Sequence, residues 1–580
     1  MAAGSIARAS ARANAPRLPR PDPILLLASV SAALIMGLLA VTVWISFFYR
    51  ESALGSIATA ANYAALYTDP FAVRAAFNTL QMAASTIVVA FVLGVPIAWL
   101  VERSDLGRKS LVNVLMVTGL LIPGFFTAMG WVFLVHPRIG TLNVILQGLL
   151  GITDGPINIA NPVGMGFVLG LGLSSLVYAL TAASLRAMDP SLEEAAQTSG
   201  AGFLGTLRRV TLPLVWPALL ASILYTLTIA VAAFDVPLVI GLANQVYTFS
   251  TFVLIKTQPL NGAATPEYGV PAAFSSLMVI LGVGLTYWYT RTLTHARRYQ
   301  VVGGRGYRPK NVRLLGWRSA AWAFLIAYML ASRFMPFALL LWAALQPFFR
   351  PVSIDAIQFI SLKHFVDMDW NGFFRALRNT ATLMVLAPTL ALVMSLFSSW
   401  IVLRTKYRFR LLYDQFAFLP HAIPSSILGL AAVFVALHLP GPIDLYGSMA
   451  LLVIVVALTQ LSFGSRVTNG ALIQISDELE EAAYVAGARR IDMLRRITLP
   501  LLRPAILYAW LWMALFASRE LTLATMLFGR DNITLPLFIW GTWNTNSFGD
   551  ASAMIVVTTL LILPLVVVYL QVSKLGRTGF

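Results

Sequence analysis

The stretch from Asp189 to Ala218 reads DPSLEEAAQTSGAGFLGTLRRVTLPLVWPA, and the stretch from Ser476 to Ala505 reads SDELEEAAYVAGARRIDMLRRITLPLLRPA. Set one under the other, they share E-E-A-A-x-x-x-G-A and, further on, L-R-R-[VI]-T-L-P. Each reads as a short helix, a glycine stop, a second short helix and a Leu-Pro entry into an apolar run. Asp189 is a good N-cap with Pro190 at the first helical position, and Ser476 takes the same place in the second stretch. Glu193, Glu194, Glu480 and Glu481 fall near the positive end of their helices, where carboxylates are favoured. Gly200 and Gly487 suit the C-terminal stop.

Working outward, the correspondence extends along the chain. The two loops are offset by 287 residues, which also relates Pro213 to Pro500. Earlier in each half, Asn78-Thr79 matches Asn379-Thr380, Trp99 matches Trp400 and Arg103 matches Arg404, all at an offset of 301. The drop of 14 falls where the first copy has the longer loop, His136 to Gly164. A fixed offset with one localised change is the mark of a duplicated and fused unit. The expected domains are a basic tail (1–23), a first module (24–296), a linker (297–319) and a second module (320–580).

Each module holds six apolar runs of spanning length. They lie near 24–48, 79–101, 111–135, 165–188, 215–241 and 270–291, then 320–345, 380–403, 412–438, 448–470, 503–528 and 553–574. The sequence is 58% hydrophobic and 11% charged, against about 25% charged in soluble domains. The fold class expected is therefore an all-α polytopic membrane protein of about twelve transmembrane helices, in two parallel six-helix repeats. The run after the tail is too long for the core of a cleaved signal peptide and reads as a first span. With the N-terminus inside, 30 of the 41 Lys and Arg fall on the inner side, so both termini are expected in the cytoplasm. The net charge of +17 thus serves orientation in the bilayer, and no basic-aromatic stripe points to nucleic acid.

Charges inside spans are costly unless paired or facing water. Asp235 in the fifth span and Arg519-Glu520 in the eleventh are candidates for lining a path between the halves, with an inter-helix ion pair as the plainer alternative. Arg333 in the seventh span reads as structural. The linker, with Arg297-Arg298-Tyr299, Gly303-Gly304-Arg305-Gly306 and Arg308-Pro309-Lys310, is glycine-rich but lacks the GxxxxGK[ST] spacing of a phosphate loop. The chain has no Cys, and His136, His295, His364, His421 and His438 are scattered, so no metal site and no catalytic constellation is expected.

The paired loops resemble the signature loop of the permeases of binding-protein-dependent ABC importers of type I. The resemblance covers the chain from about Asn78 to Lys574. It implies that Glu193, Glu194, Ala195, Ala196 and Gly200, with Glu480, Glu481, Ala482, Ala483 and Gly487, form two coupling helices, each docking in a groove of an ATP-binding subunit. It also implies two such ATPase partners, a soluble substrate-binding protein outside, a plasma (inner) membrane location, and ATP used by the partners rather than held or hydrolysed by this chain. Fusion of both permeases in one chain, with Tyr299-Gln300-Val301-Val302 and Gly306-Tyr307-Arg308-Pro309 in the linker, looks like the ferric-iron branch. Thiamine and aminoalkylphosphonate permeases are similar alternatives. From a different class, a twelve-span secondary transporter would share the span count but not the loops.

Overall fold

The computed structural model describes residues 23–578 except 51–52, 55–57, 138–139, 154, 190, 259–265, 297–311 and 439–444. The basic tail with its four arginines, Pro190 and the glycine-rich part of the linker lie outside the described residues. Apart from a two-residue antiparallel pairing of Tyr49–Arg50 with Ala53–Leu54, the ordered elements are helical. Ten helices are long and apolar enough to cross a membrane, and two bent pairs bring the number to twelve when each counts as one span. All twelve coincide with the apolar runs of the sequence.

The third and ninth spans are not straight rods. Lys109–Gly119 meets Gly124–Val135 at 97°, and Arg410–Ala422 meets Ser425–His438 at 101°. The breaks contain Pro123 and Pro424, 301 residues apart. A proline withholds an N–H and forces the residue before it, here Ile122 or Ile423, out of the helical region. The fifth span breaks as well: Leu212–Ala232 stops two residues before Asp235, and a short π-turn, Pro237–Gly241, follows. The eleventh, Leu499–Ala517, stops just before Arg519-Glu520 and resumes as Thr522–Met526.

The Asn-Thr pairs of the second and eighth spans (Pro70–Arg103 and Trp370–Arg404) do the same task twice. Asn78 Nδ2 donates to the Tyr247 carbonyl at 2.9 Å, and the Phe249 N–H donates to Thr79 Oγ1 at 2.8 Å. Asn379 Nδ2 donates to the Asp531 and Ile533 carbonyls at 2.9 and 3.0 Å, and the Leu535 N–H donates to Thr380 Oγ1 at 2.8 Å. Each pair thereby fixes the start of a short helix, Phe249–Thr257 or Leu535–Asn544. Such groups, buried away from water, would be expensive to leave unpaired.

The halves cross over. The first span, Pro23–Phe48, packs on the sixth span and also against the eighth and ninth spans of the other half. There Ser29 shares a 2.7 Å hydrogen bond with Tyr413, and the Trp44 ring meets Phe434 at 6.0 Å. Reciprocally, the seventh span packs on Gly124–Val135 of the first half. A Cβ on Gly130 would strike Pro336 there, so the two backbones approach as closely as glycine allows. Arg333 belongs to this crossing: its Nη2 donates to Ser175 Oγ at 2.6 Å, and it lies directly over Gly119. The end of the linker is stitched to the first half, with the Val312 N–H bonded to the Arg103 carbonyl and Arg318 paired with Asp105 at 2.7 Å.

Candidate coupling loops and inter-half path

Both loops fold as their sequences dictate. The first helix, Ser191–Thr198, is capped by Asp189, whose Oδ1 accepts the Ser191 N–H at 2.9 Å; Ser476 Oγ accepts the Glu478 N–H ahead of Asp477–Val485. Gly200 and Gly487 stand at φ +87° and +82°, the left-handed region that closes a helix. The N–H of Ala201 bonds back to the Ala196 carbonyl and that of Ala488 to Ala483, so orphan carbonyls at the helix ends are met. Leu207–Thr211 and Leu494–Thr498 are π-turns just ahead of Pro213 and Pro500. A wider turn removes the clash between each proline ring and the carbonyl four residues back.

The glutamates of each pair have different roles. Glu193 and Glu480 turn inward onto the arginine that ends the second or eighth span. Arg103 Nε lies 3.1 Å from Glu193 Oε2, and Arg404 Nε lies 2.8 Å from Glu480 Oε1. Both pairs are largely buried, with side-chain exposures of 5% and 14% in the first and 9% and 10% in the second. The same guanidinium closes the end of the preceding span. Arg103 Nη2 donates to the Leu185 carbonyl at 2.7 Å, and Arg404 Nη2 donates to Leu472 and Ile475 at 3.0 and 2.7 Å. A cation at a helix C-terminus also opposes the negative end of its dipole. Glu193 is held a second time, by Thr211 Oγ1 at 2.6 Å. Of the other signature residues, Glu481, Ala195 and Ala482 are exposed, Glu194 and Ala196 are half-buried, and Ala483 is buried under its helix. The repeat had pointed to Arg103 and Arg404 and to Glu193 and Glu480 in the sequence, but not to their pairing.

Asp235, Arg519 and Glu520 come together where broken spans from both halves meet, and each is half-buried rather than sealed. Among the described residues no direct ion pair joins them. Arg519 Nη1 instead crosses to the first half and donates to the Leu120 carbonyl at 2.8 Å and to Ile122 at 3.4 Å, at the break of the third span. Asp235 lies beside Gly124, which starts the helix after that break. The two ends of the broken span therefore each face a charge of the stabilising sign. Glu520 Oε1 accepts the Leu523 N–H at 2.9 Å and caps the helix that resumes the eleventh span. At the second-half break, the counterpart contact is aromatic: His421 stacks on Tyr225 at 4.4 Å. Among the described residues no group of three or more His, Cys, Asp and Glu comes together. His364 is engaged structurally, 2.6 Å from Asp550.

Comparison with known proteins bears on both features. A family model described as "Binding-protein-dependent transport system inner membrane component" matches twice, over residues 94–299 and 373–576. An ABC transporter permease protein of Sinorhizobium fredii is 27% identical over 87% of this chain and 89% of its own length. A permease of an Fe(3+)-transport system in Haemophilus influenzae is 23% identical, over 80% of this chain and 83% of its own length. A protein of Salmonella typhimurium named for 2-aminoethylphosphonate transport is 25% identical over 44% of this chain and 95% of its own length.

Proposed function

Because this chain belongs to the family of binding-protein-dependent transport system inner membrane components, in both of its halves, we propose that the importer it serves carries ferric iron. The chain is a multi-pass permease of the inner membrane, and membership of the family sets aside the secondary transporter. In this reading the two capped helices lie on the cytoplasmic face and each docks on one ATPase subunit, which binds and hydrolyses the ATP. A binding protein delivers cargo to the opposite face. Closure of the ATPases moves the two helices, and the Arg103–Glu193 and Arg404–Glu480 pairs pass that movement into the second and eighth spans. The buried arginine–glutamate pair that locks each loop is the observation that carries the coupling role.

The iron reading draws on the Haemophilus relative, which matches most of both chains, and on the chemistry of the path. Asp235 and Glu520 set two carboxyl groups beside the single guanidinium of Arg519, and carboxylate oxygens suit hard cations. The test is uptake by the chain reconstituted with its ATPases and binding protein, using radioactive iron and 2-aminoethylphosphonate in parallel. Iron uptake that is ATP-dependent and falls at least tenfold in Asp235→Asn/Glu520→Gln supports the proposal. Uptake of the phosphonate alone, abolished by Arg519→Gln, would replace iron with an anionic cargo served by the guanidinium.

A further inference from the structure

The two coupling modules are locked alike but packed differently beneath the lock. Under the first lies an apolar cavity of about 220 Å3, walled by Trp99, Leu185, Phe203, Thr211 and Val215 among others. It exceeds the apolar cavity of about 150 Å3 that takes up benzene in an engineered core. Three of its counterpart positions in the second copy, Trp400, Leu472 and Leu502, are buried in one cluster together with Met493. The repeat offsets pair the three with Trp99, Leu185 and Val215 of the cavity wall. Val215 is thus answered by the larger Leu502, and Val95, which also lines the cavity, by the larger Leu396, packed on that cluster. Thr181, which lines the cavity, has no hydrogen-bond partner for its hydroxyl, whereas Thr468 at the matching place bonds to Ser399 at 2.6 Å. The second copy has filled with its own side chains what the first leaves open.

We propose that the cavity of the first module holds an acyl chain of an anionic phospholipid from the leaflet at the coupling-loop face. The mouth of the cavity carries Phe203 and Leu212, and Trp216 stands beside it, all three exposed apolar groups at the start of a membrane-spanning segment. Arg208 and Arg209, both exposed, sit on the turn that walls the cavity, where a phosphate headgroup would meet them. Basic residues also occur in the second copy, at Arg495 and Arg496, so the charges alone do not make the site; charge beside an open cavity does. The occupant would touch Thr211, which holds Glu193, and Leu185, whose carbonyl holds Arg103. A bound chain therefore braces the first coupling helix from below, a support the second helix receives from Met493 and Leu502. The inference needs only the membrane setting and is independent of the cargo.

The test uses the full chain in vesicles of phosphatidylethanolamine and phosphatidylglycerol, with a trace of phosphatidylglycerol bearing a diazirine on one acyl chain. After irradiation, adducts are located by mass spectrometry. At least fivefold more label on the peptides of Trp99, Phe203 and Leu212 than on those of Trp400 and Leu499 is expected. Val95→Leu/Val215→Leu should bring the first set down to the level of the second while elution and thermal midpoint are kept; Val215→Leu alone serves if the double variant does not fold. Arg208→Gln/Arg209→Gln should remove the preference for the phosphatidylglycerol probe over its phosphatidylethanolamine counterpart. Equal labelling of both copies, or labelling unchanged in the filled variant, means annular lipid contact only and overturns the proposal. A preference unchanged in the double Gln variant overturns its anionic headgroup.

Discussion

Replacing Arg404 with Met isolates what the buried pair under the second coupling helix contributes. The change leaves the Glu480 carboxylate, 10% exposed, without a counter-charge and frees the Leu472 and Ile475 carbonyls. Removing one partner of a buried pair destabilises by about 3–5 kcal/mol, because the other charge is stranded. The loss falls on the docking of Asp477–Val485 rather than on the whole fold, since the affected bonds tie that helix to the eighth and tenth spans. At 1.36 kcal/mol per tenfold, 3 kcal/mol raises the undocked population by about a hundredfold or more. Trypsin reads this directly, because Arg489 lies exposed just beyond the glycine stop, and cleavage there tracks the open population when reclosing is fast. Arg404→Met/Glu480→Leu removes the stranded charge and should recover at least about 2 kcal/mol of the loss, roughly thirtyfold in rate. Equal cleavage in Arg404→Met and the parent, or no recovery in the double variant, would refute the assignment of the pair as the lock.

Reversing the charge of both Glu194 and Glu481 to Lys should abolish stimulation of ATP hydrolysis by loaded binding protein in the reconstituted complex, with the permease itself still eluting intact. Gly487→Ala forces an L side chain into the left-handed region and should lower local stability by about 1–2 kcal/mol, seen as a five- to thirtyfold rise in the same tryptic cleavage. Arg519→Met leaves the Leu120 and Ile122 carbonyls without their donor across the halves and should lower the thermal midpoint by several degrees. An unchanged midpoint would deny that contact a role in holding the halves together. Asp105, held below the usual carboxylate value mainly by the Leu314 N–H and then by Arg318, favours folding above its ordinary value. That contribution is lost as pH falls below about 3.8. Asp105→Asn should remove this limb from a low-pH profile of cleavage by pepsin, a protease active in acid, at the exposed Leu315.

The span count, the repeat and the helix–glycine–helix shape of both loops were legible because they rest on composition and on spacing. The breaks at Pro123 and Pro424 were not, although Ile-Pro recurs at the same 301-residue offset and could have marked them. Mean hydropathy counts apolar residues without regard to the direction in which the chain runs. The crossing of the first and seventh spans was hidden for a similar reason: an apolar side chain suits lipid, its own half and the other half equally. Asp235 and Glu520 were singled out by their depth and by their similar places in the two copies, whereas the tie of Arg519 to Leu120 depends on a contact 399 residues distant. The asymmetry below the loops was written in the sequence as Val95 against Leu396 and Val215 against Leu502. It acquires meaning only when the same space is seen open in one copy and packed in the other.

The reciprocal crossing has a consequence for biosynthesis. The face that Pro23–Phe48 turns to the eighth and ninth spans emerges from the ribosome some 320 residues before its partners. Until they arrive it has only lipid to lie against. The first half likewise lacks the cover of the seventh span, with Arg333 over Gly119, until the linker has been made. Neither half is therefore a finished folding unit when its own sixth span is inserted, and the linker does more than economise on a gene: it guarantees that each unfinished half is born beside the one piece that completes it.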